Sequence, residues 1–236
     1  PQKRPSIVLS NPPYGEIRNT STLQSMLKRS SLDVANHTNW VRGDVAFVAK
    51  TWEISVAGTC IGLIVASPLI RHSNFERLRW ELVSQMRELC VTQLSETTFS
   101  NTEVRSYMIT GTRATSRHRN VILRKATADG TIVDEMSITF SQATKSLDID
   151  YHRSVVALGL NLDSDVETLG SIASIVRGSR SNRDFARLGL HAFHTTDFDK
   201  DSPYVRLNGA TRGYHIARSG DILIPRVGSR CLVRQS

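Results

Sequence analysis

One uninterrupted apolar segment, residues 60–66 (Cys-Ile-Gly-Leu-Ile-Val-Ala), constrains the fold of this 236-residue chain more than any other feature. Gly58 precedes the segment and Ser67-Pro68 follows it, so both ends are marked by residues that end regular structure. A continuous apolar run of this length is typical of a strand that is buried on both faces of a sheet. The chain must therefore supply helices that cover such a sheet.

Two helical patterns flank the buried segment. Apolar side chains recur near a 3.6-residue period in residues 44–55, and residues 75–89 form an amphipathic pattern with Leu78, Leu82 and Met86 on one face and Asn74 as N-cap. A short helix is predicted at residues 23–32.

Further strands are predicted at residues 6–10, 91–94, 103–110, 121–125 and 131–138, with a hairpin-type turn at Asp129-Gly130. Strands and helices that alternate and then give way to strands predict an α/β sheet with an antiparallel edge. The composition changes after residue 147. We therefore predict a first domain at residues 1–147, a linker at 148–166 with residues 155–160 packed, and a second domain at 167–236.

The tetrapeptide Asn11-Pro12-Pro13-Tyr14 directly follows the first predicted strand, where open α/β sheets bind their ligands. Asn11 offers a side-chain carbonyl and Pro12 a backbone carbonyl, and Pro13 restricts Pro12 to extended geometry. Tyr14 offers a flat aromatic face, and Gly15 lets the chain turn away without a Cβ clash. A Pro-rich turn between a strand and a loop is the alternative interpretation, although the tetrapeptide arises by chance in roughly one chain in a thousand.

The charge of the chain is positive and unevenly distributed. The net charge is +8, and from Val176 onward eleven Lys or Arg face five Asp or Glu. This excess indicates a polyanionic partner such as nucleic acid, with a merely basic soluble surface as the alternative. Arg177, Arg180 and Arg183 lie among Gly and Ser and suit phosphate contacts, unless the segment is a solvated loop. Arg226 follows a predicted strand and could reach either a base edge or a phosphate.

Other classes of function receive little support. No apolar run is long enough to predict a membrane span, and three widely separated cysteines suit a reducing cytoplasm better than a disulfide framework. His191 and His194 lack further ligands for a metal, and the alternating Asp197, Asp199 and Asp201 lack the Gly and Glu of a calcium loop. We therefore predict no metal site.

Residues 1–145 resemble the carboxyl-terminal half of the catalytic domain of N6-adenine DNA methyltransferases. The resemblance rests on the order Asn-Pro-Pro-Tyr-Gly, helix, strand ending in Ser67-Pro68, and amphipathic helix. It implies a partial Rossmann-like sheet in which Asn11 and Pro12 hold the amino group of a flipped-out adenine and Tyr14 stacks on the base. The segment around Phe99 is similar to the family's second base-stacking element, with a core aromatic at a strand start as the alternative. S-adenosylmethionine is the methyl donor that the resemblance implies.

Residues 169–178 and 220–229 resemble the target recognition domain of type I restriction-modification specificity subunits. The first segment is Leu-Gly-Ser-Ile-Ala-Ser-Ile-Val-Arg-Gly, and the second is Gly-Asp-Ile-Leu-Ile-Pro-Arg-Val-Gly-Ser. The resemblance implies the start of an α+β domain that reads double-stranded DNA. A methyltransferase followed by such a domain is similar to the fused restriction-modification enzymes of the bacterial or archaeal cytoplasm.

The chain departs from the methyltransferase pattern in one respect. No Gly-rich strand–turn–helix for S-adenosylmethionine precedes Asn11. We therefore expect a fragment that lacks the cofactor loop, is inactive alone, and works with an amino-terminal half or a restriction subunit. A non-catalytic, sequence-specific DNA-binding module is the alternative, and an interaction fragment with neither activity is the third hypothesis.

Overall fold

The structure is a computed structural model that describes residues 4–30, 39–99, 105–115, 120–160, 169–176, 182–188, 218 and 220–222. The chain divides into two compact units, Pro1–Ser164 and Asp165–Ser236. The first unit contains the sheet and most of the described residues. The predicted α/β class with an antiparallel edge is confirmed there.

The first unit is built on a six-stranded sheet and a two-stranded ribbon. In chain order the described strands are β1 (Ile7–Ser10), β2 (Glu16–Arg18), β3 (Trp40–Arg42), β4 (Cys60–Ala66), β5 (Met86–Gln93), β6 (Ser106–Arg113), β7 (Asn120–Ala126) and β8 (Ile132–Thr139). The sheet has the order β1-β4-β6-β5-β7-β8, and β2 pairs with β3 in the ribbon. The pairs β1–β4 and β5–β7 are parallel, while β4–β6, β5–β6 and β7–β8 are antiparallel.

Strand β4 spans the predicted residues 60–66, and its inward side chains are buried. Ile61, Leu63 and Val65 are exposed by 3%, 1% and 0%. The helix Gly43–Ile54 adds Val48 and Trp52 to the same core cluster. Strand β4 lies between β1 and β6 as a central strand, but its burial alternates: Cys60 is exposed, and Gly62 and Ile64 are half-buried, so the expected burial on both faces is wrong.

The described helices are α1 (Ser21–Arg29), α2 (Gly43–Ile54), α3 (Ser67–Arg71), α4 (Glu76–Gln85), α5 (Phe140–Lys145), α6 (Ile149–Ala157), α7 (Leu169–Ile172) and α8 (Asn182–Arg187). The pattern at residues 44–55 corresponds to α2. Helix α1 begins at Ser21, ahead of the predicted residue 23, because the Thr20 hydroxyl accepts the Leu23 N–H at 3.2 Å and caps the helix.

The predicted helix at residues 75–89 is wrong at both ends. A 3₁₀ turn, Ser73–Phe75, precedes α4, and Phe75 rather than Asn74 is the N-cap. The helix ends at Gln85, and Met86 begins β5. Met86 is fully buried as a strand residue, and it would also be buried if the helix continued. Apolar periodicity alone therefore could not distinguish a strand from a helix at this position.

The predicted linker at residues 148–166 contains a helix that packs on the first unit. Asp148, Ile149 and His152 are buried at the start of α6. The end of α6 is exposed, with Val156 at 67% and Leu158 at 71%, so the prediction that residues 155–160 are packed is wrong for these side chains. The domain boundaries themselves stay a prediction.

The second unit is described only in short segments, including α7 and α8. From the sequence we predict strands at residues 190–194, 214–216 and 221–227 of this unit, and all of them except residues 221 and 222 lie outside the described residues. No helix among the described residues is both long enough and apolar enough to cross a membrane.

Candidate functional site

The tetrapeptide Asn11–Tyr14 lies at the edge of the sheet that is formed by the carboxyl ends of β1 and β4. Several strands begin or end there. The tetrapeptide follows the carboxyl end of β1, which is parallel to β4, so both strands end at this edge. Strand β6 begins there, because Ser106 pairs with Ala66. A hydrogen bond of 2.9 Å from the Ser67 N–H to the Arg105 carbonyl joins the two strand ends. The edge is where an α/β sheet presents ligand-binding loops.

The tetrapeptide is at the surface rather than inside the core. Asn11 and Pro13 are exposed, Tyr14 is half-buried and Pro12 is buried. Packing around Pro12 fixes the backbone, while the Asn11 amide stays open to solvent. The loop therefore combines a held backbone with an accessible hydrogen-bonding side chain.

The first turn of α2 supports this loop directly. The Gly43 N–H donates a hydrogen bond of 2.8 Å to the Gly15 carbonyl. A Cβ on Gly43 would lie 2.4 Å from the Pro13 carbonyl oxygen and 3.1 Å from the Gly15 carbonyl oxygen. Real Cβ atoms essentially never approach other atoms as closely as the first distance. The loop and the first turn of the helix thus approach each other closely through backbone atoms.

The structure corrects the role predicted for Gly15. A Cβ on Gly15 would meet no atom within 4 Å, and Gly15 is not among the residues with positive φ. The close approach that needs a glycine is at Gly43, which the sequence reasoning missed. A glycine immediately before Asp44, at the start of a predicted helix, was the available signal, but nothing in the sequence identified the loop as its neighbour.

An ion pair fixes the start of α2 beneath the loop. The fully buried Asp44 carboxylate accepts two hydrogen bonds from the Arg42 guanidinium, at 3.0 and 2.9 Å, and one of 3.0 Å from the Val45 N–H. Arg42 also belongs to β3, and its backbone pairs opposite Glu16 just beyond the tetrapeptide. The ribbon and the helix thus both hold the residues that directly follow the tetrapeptide.

Two aromatic residues predicted to act together lie at this edge. The Tyr14 hydroxyl is 3.4 Å from the Ser106 hydroxyl, which is long for a hydrogen bond between two hydroxyl groups. Phe99 is half-buried in the connection between β5 and β6, which leaves and re-enters the sheet at the same edge. No ring contact joins these two aromatics in the described part of the chain. Their stacking role stays a prediction.

Basic residues further along this edge are engaged with carboxylates. Asp150 accepts hydrogen bonds from Lys125 at 2.9 Å and from Arg105 at 3.2 Å. Partial burial acts to raise the pKa of Asp150, but hydrogen bonds from Gln93 and Lys125 outweigh it and hold that pKa below its usual value. Arg71 pairs with the buried Asp148 at 2.9 Å. These cations hold α6 on the sheet, so they are poor candidates for binding a phosphate.

The cavities identified among the described residues lie away from the tetrapeptide. Two cavities of about 340 and 320 Å³ occur in the first unit, and neither is lined by a residue of the tetrapeptide. The larger is mainly apolar and lies among α1, α2 and β2. No cluster of metal-ligating side chains occurs among the described residues.

The predicted DNA-contacting residues are mostly outside the described residues. This applies to Arg177, Arg180 and Arg226. Arg183 lies within α8, and its side chain is not described. Their roles stay predictions.

Comparisons with known proteins find similarity in structure alone. No protein-family model matches the chain, and no curated protein matches it. A nuclease-deletion mutant of the Type ISP restriction-modification enzyme LlaGI, in complex with a DNA substrate mimic, aligns with a TM-score of 0.49 and 12% identity over 63% of this chain. The type IIG restriction endonuclease BpuSI aligns with a TM-score of 0.47 and 14% identity over 65% of it.

A type I restriction-modification methyltransferase subunit from Streptococcus thermophilus aligns with a TM-score of 0.41 and 14% identity over 69% of the chain. This chain spans 19%, 22% and 34% of the LlaGI, BpuSI and Streptococcus thermophilus proteins, respectively. Restriction-modification enzymes and their methyltransferase subunits are thus among its structural neighbours. At these scores and identities, the likeness carries no inference about activity.

Proposed function

We propose that this chain supplies the adenine-holding loop of a site-specific DNA adenine-N6 methyltransferase of a restriction-modification system. One observation carries the proposal: an exposed Asn11 follows a strand directly at the carboxyl edge of an α/β sheet, on a loop held by buried Pro12 and Gly43. Loops at this edge are where such sheets bind ligands.

The chemistry needs two acceptors at one place. The lone pair of the adenine amino nitrogen is delocalised into the ring, which makes the nitrogen a poor nucleophile. Acceptors for both N–H groups localise that lone pair and stabilise the positive charge that develops on nitrogen. The Asn11 side-chain carbonyl and the Pro12 backbone carbonyl are the two acceptors proposed here.

S-adenosylmethionine would supply the methyl group. The C–S bond of its sulfonium would break as the new C–N bond forms, S-adenosylhomocysteine would leave, and the amino nitrogen would lose one proton to the solvent around the exposed Asn11. Holding the nitrogen in place is the contribution of this chain. A loop whose backbone is fixed before the base arrives has little reorganisation to undergo during the reaction.

The target base must leave the duplex before the loop can reach its amino group. Tyr14 is half-buried, so one part of its ring is packed while another part is open to a stacking partner. Phe99, on the connection between β5 and β6, is the proposed second aromatic. Arg177, Arg180, Arg183 and Arg226 are the proposed contacts to DNA.

Substitution of Asn11 by Ala tests the proposal. The intact protein that carries this chain is expressed in a bacterial host without its own adenine methylation, and N6-methyladenine is mapped across the genome. We expect one methylated sequence motif with the natural protein. With Asn11→Ala we expect the initial rate on a duplex of that motif to fall by about 10² to 10³, the cost of removing one acceptor of a preorganised pair.

Asn120→Ala is the matched control, because Asn120 is an exposed asparagine at the start of β7, away from the tetrapeptide. We expect it to preserve both the motif and the rate. Unchanged methylation by Asn11→Ala would remove the assigned role. Absence of N6-methyladenine with the natural protein, together with retained duplex binding, would favour the alternative function.

The alternative is a non-catalytic module that binds DNA in a sequence-specific manner. The observation that favours it is the concentration of eleven Lys or Arg against five Asp or Glu from Val176 onward. Duplex binding without S-adenosylmethionine binding by the intact protein would support this function over the enzymatic one.

A further inference from the structure

We propose that Gly43 is a positioning residue for the catalytic loop, which the first turn of α2 holds in place by direct backbone contact. This inference rests on the proposed function of Asn11–Tyr14. Gly43 does not touch the substrate in this proposal. It acts by setting the position of Pro13 and Gly15, and through them the position of the acceptor pair and of Tyr14.

The contact leaves no room for a side chain. The Gly43 N–H is 2.8 Å from the Gly15 oxygen, and an added Cβ would be 2.4 Å from the Pro13 oxygen and 3.4 Å from the Pro13 carbonyl carbon. Both neighbours are backbone atoms, which cannot rotate away as the end of a flexible side chain can. Any side chain at this position must therefore displace either the loop or the helix.

The helix is the more firmly held of the two. Asp44 is fully buried and paired with Arg42, and Val45 and Val48 are buried in the core. In the tetrapeptide, by contrast, Pro12 is the one buried residue, and Pro13, which the added Cβ would meet, is exposed. We therefore expect a Cβ on Gly43 to move Pro13, Tyr14 and Gly15 outward rather than to move α2.

The expected displacement is large enough to matter for catalysis. Relieving a contact of 2.4 Å requires a movement on the order of 1 Å before ordinary van der Waals separation is reached. A misplacement of about 1 Å can lower a rate by about 10²-fold, because the reacting groups no longer meet in the productive geometry. Binding of the duplex at sites away from the loop should change little.

The experiment compares Gly43→Ala with Gly111→Ala in the intact protein. Gly111 in β6 is the matched control, because a Cβ there would also be crowded, at 2.8 Å from the Met86 methyl carbon and 3.1 Å from the Arg87 oxygen. Gly111 pairs with Ile61, near the start of β4 and away from the loop. Two properties are measured for both variants: the steady-state kinetics of methylation on an unmethylated duplex that carries the target motif, and thermal unfolding.

We expect Gly43→Ala to lower kcat by about 10²-fold while KM for the duplex changes by less than about threefold. We expect Gly111→Ala to lower the unfolding temperature while kcat is retained. Retention of kcat by Gly43→Ala would overturn the inference. So would a loss of kcat that follows the loss of thermal stability equally in both variants.

Fluorotyrosine labelling supplies a readout that does not depend on activity. The fluorine resonance of Tyr14 is assigned with Tyr14→Phe, and we expect Gly43→Ala to shift it while Gly111→Ala does not. An unshifted Tyr14 resonance in Gly43→Ala would overturn the inference. If Gly43→Ala does not fold, Asp44→Asn takes its place, since it weakens the ion pair that holds the same turn. We expect a smaller shift and a loss of about tenfold in kcat, and an unchanged resonance and kcat would again overturn the inference.

Failure of the inference and failure of the proposed function have different signatures. If Gly43→Ala leaves kcat and the Tyr14 resonance unchanged while Asn11→Ala is inactive, the positioning role alone is overturned. A fully active Asn11→Ala overturns both, because there is then no catalytic loop for Gly43 to position.

Discussion

At the scale of single residues, Arg79 joins several elements of the described part of the first unit through one side chain. Its fully buried guanidinium donates hydrogen bonds to the carbonyls of Thr144, Lys145, His72 and Leu69, at distances between 2.8 and 3.1 Å. Burial lowers the pKa of Arg79 to about 10, so the group remains charged at neutral pH. One side chain in α4 thus ties α3 to the end of α5, next to the edge that carries the candidate site.

Substitution of Arg79 by Met should therefore be costly. Met fills a similar volume but leaves buried carbonyl acceptors without donors, so we expect a loss of about 3 to 5 kcal/mol in the free energy of unfolding. Urea denaturation followed by circular dichroism measures this loss. Arg77→Met is the control, because Arg77 is exposed on the same helix, and we expect a change of less than about 0.5 kcal/mol there. Equal losses in both variants would show that the buried hydrogen bonds contribute nothing specific.

At the scale of elements, the sequence correctly predicted the positions of elements that have a uniform composition and clear boundary residues. Residues 60–66 form a strand as predicted, because a continuous apolar run between Gly58 and Ser67-Pro68 has few alternatives. The tetrapeptide lies after β1 as predicted. Gly43 and Ser106 could not be assigned to the site from sequence, because their proximity to the loop depends on β6 beginning beside β4 and on α2 starting beneath Gly15. Such proximity is a property of the topology.

The change from α4 to β5 illustrates the limit of periodicity. Glu88 has a φ of 55°, in the left-handed region, where the register of β5 against β6 shifts between Arg87 and Cys90. This irregularity lets both Met86 and Leu89 point into the core. The predicted helix rested on Leu78, Leu82 and Met86, whose spacing of four residues continues past the end of α4 into the first residue of β5.

Glu88→Gly should consequently stabilise the protein. An L-residue in the left-handed region costs about 1 to 2 kcal/mol, while glycine adds about 0.5 to 1 kcal/mol of chain entropy to the cost of folding. The expected net gain in the free energy of unfolding is about 0.5 to 1 kcal/mol. Arg87→Gly, at an exposed neighbour without positive φ, should instead lower it. Guanidinium denaturation measures the free energy of unfolding of both variants, which should rise for Glu88→Gly and fall for Arg87→Gly. A fall in both variants would mean that the backbone at Glu88 is not strained.

At the scale of the whole molecule, basic and acidic residues are distributed unevenly along the sequence, with most of the basic excess from Val176 onward. In the first unit many basic side chains are paired, including Arg29 with Glu53, Arg124 with Glu135 and Arg153 with Asp134. From Val176 onward, the excess of basic over acidic residues is six, against eight for the whole chain. Basic residues that neutralise phosphates release the counterions condensed on the DNA, and the sequence has its largest excess of such residues in this last part. Affinity for duplex DNA should therefore depend steeply on salt and be governed by this last part of the chain.

Fluorescence anisotropy with a labelled duplex measures that dependence. If six to ten phosphates are contacted, the affinity should fall by about 10³ to 10⁵ between about 50 and 200 mM salt. Replacing Arg177, Arg180 and Arg183 together by Ser should reduce the slope of log K against log salt by about 0.9 for each phosphate contact removed. The control replaces Arg29, Arg124 and Arg153 by Ser, which removes the same charge from residues that already have carboxylate partners. A slope that falls equally in both triple variants would show that net charge alone, rather than the segment around Arg180, determines DNA binding.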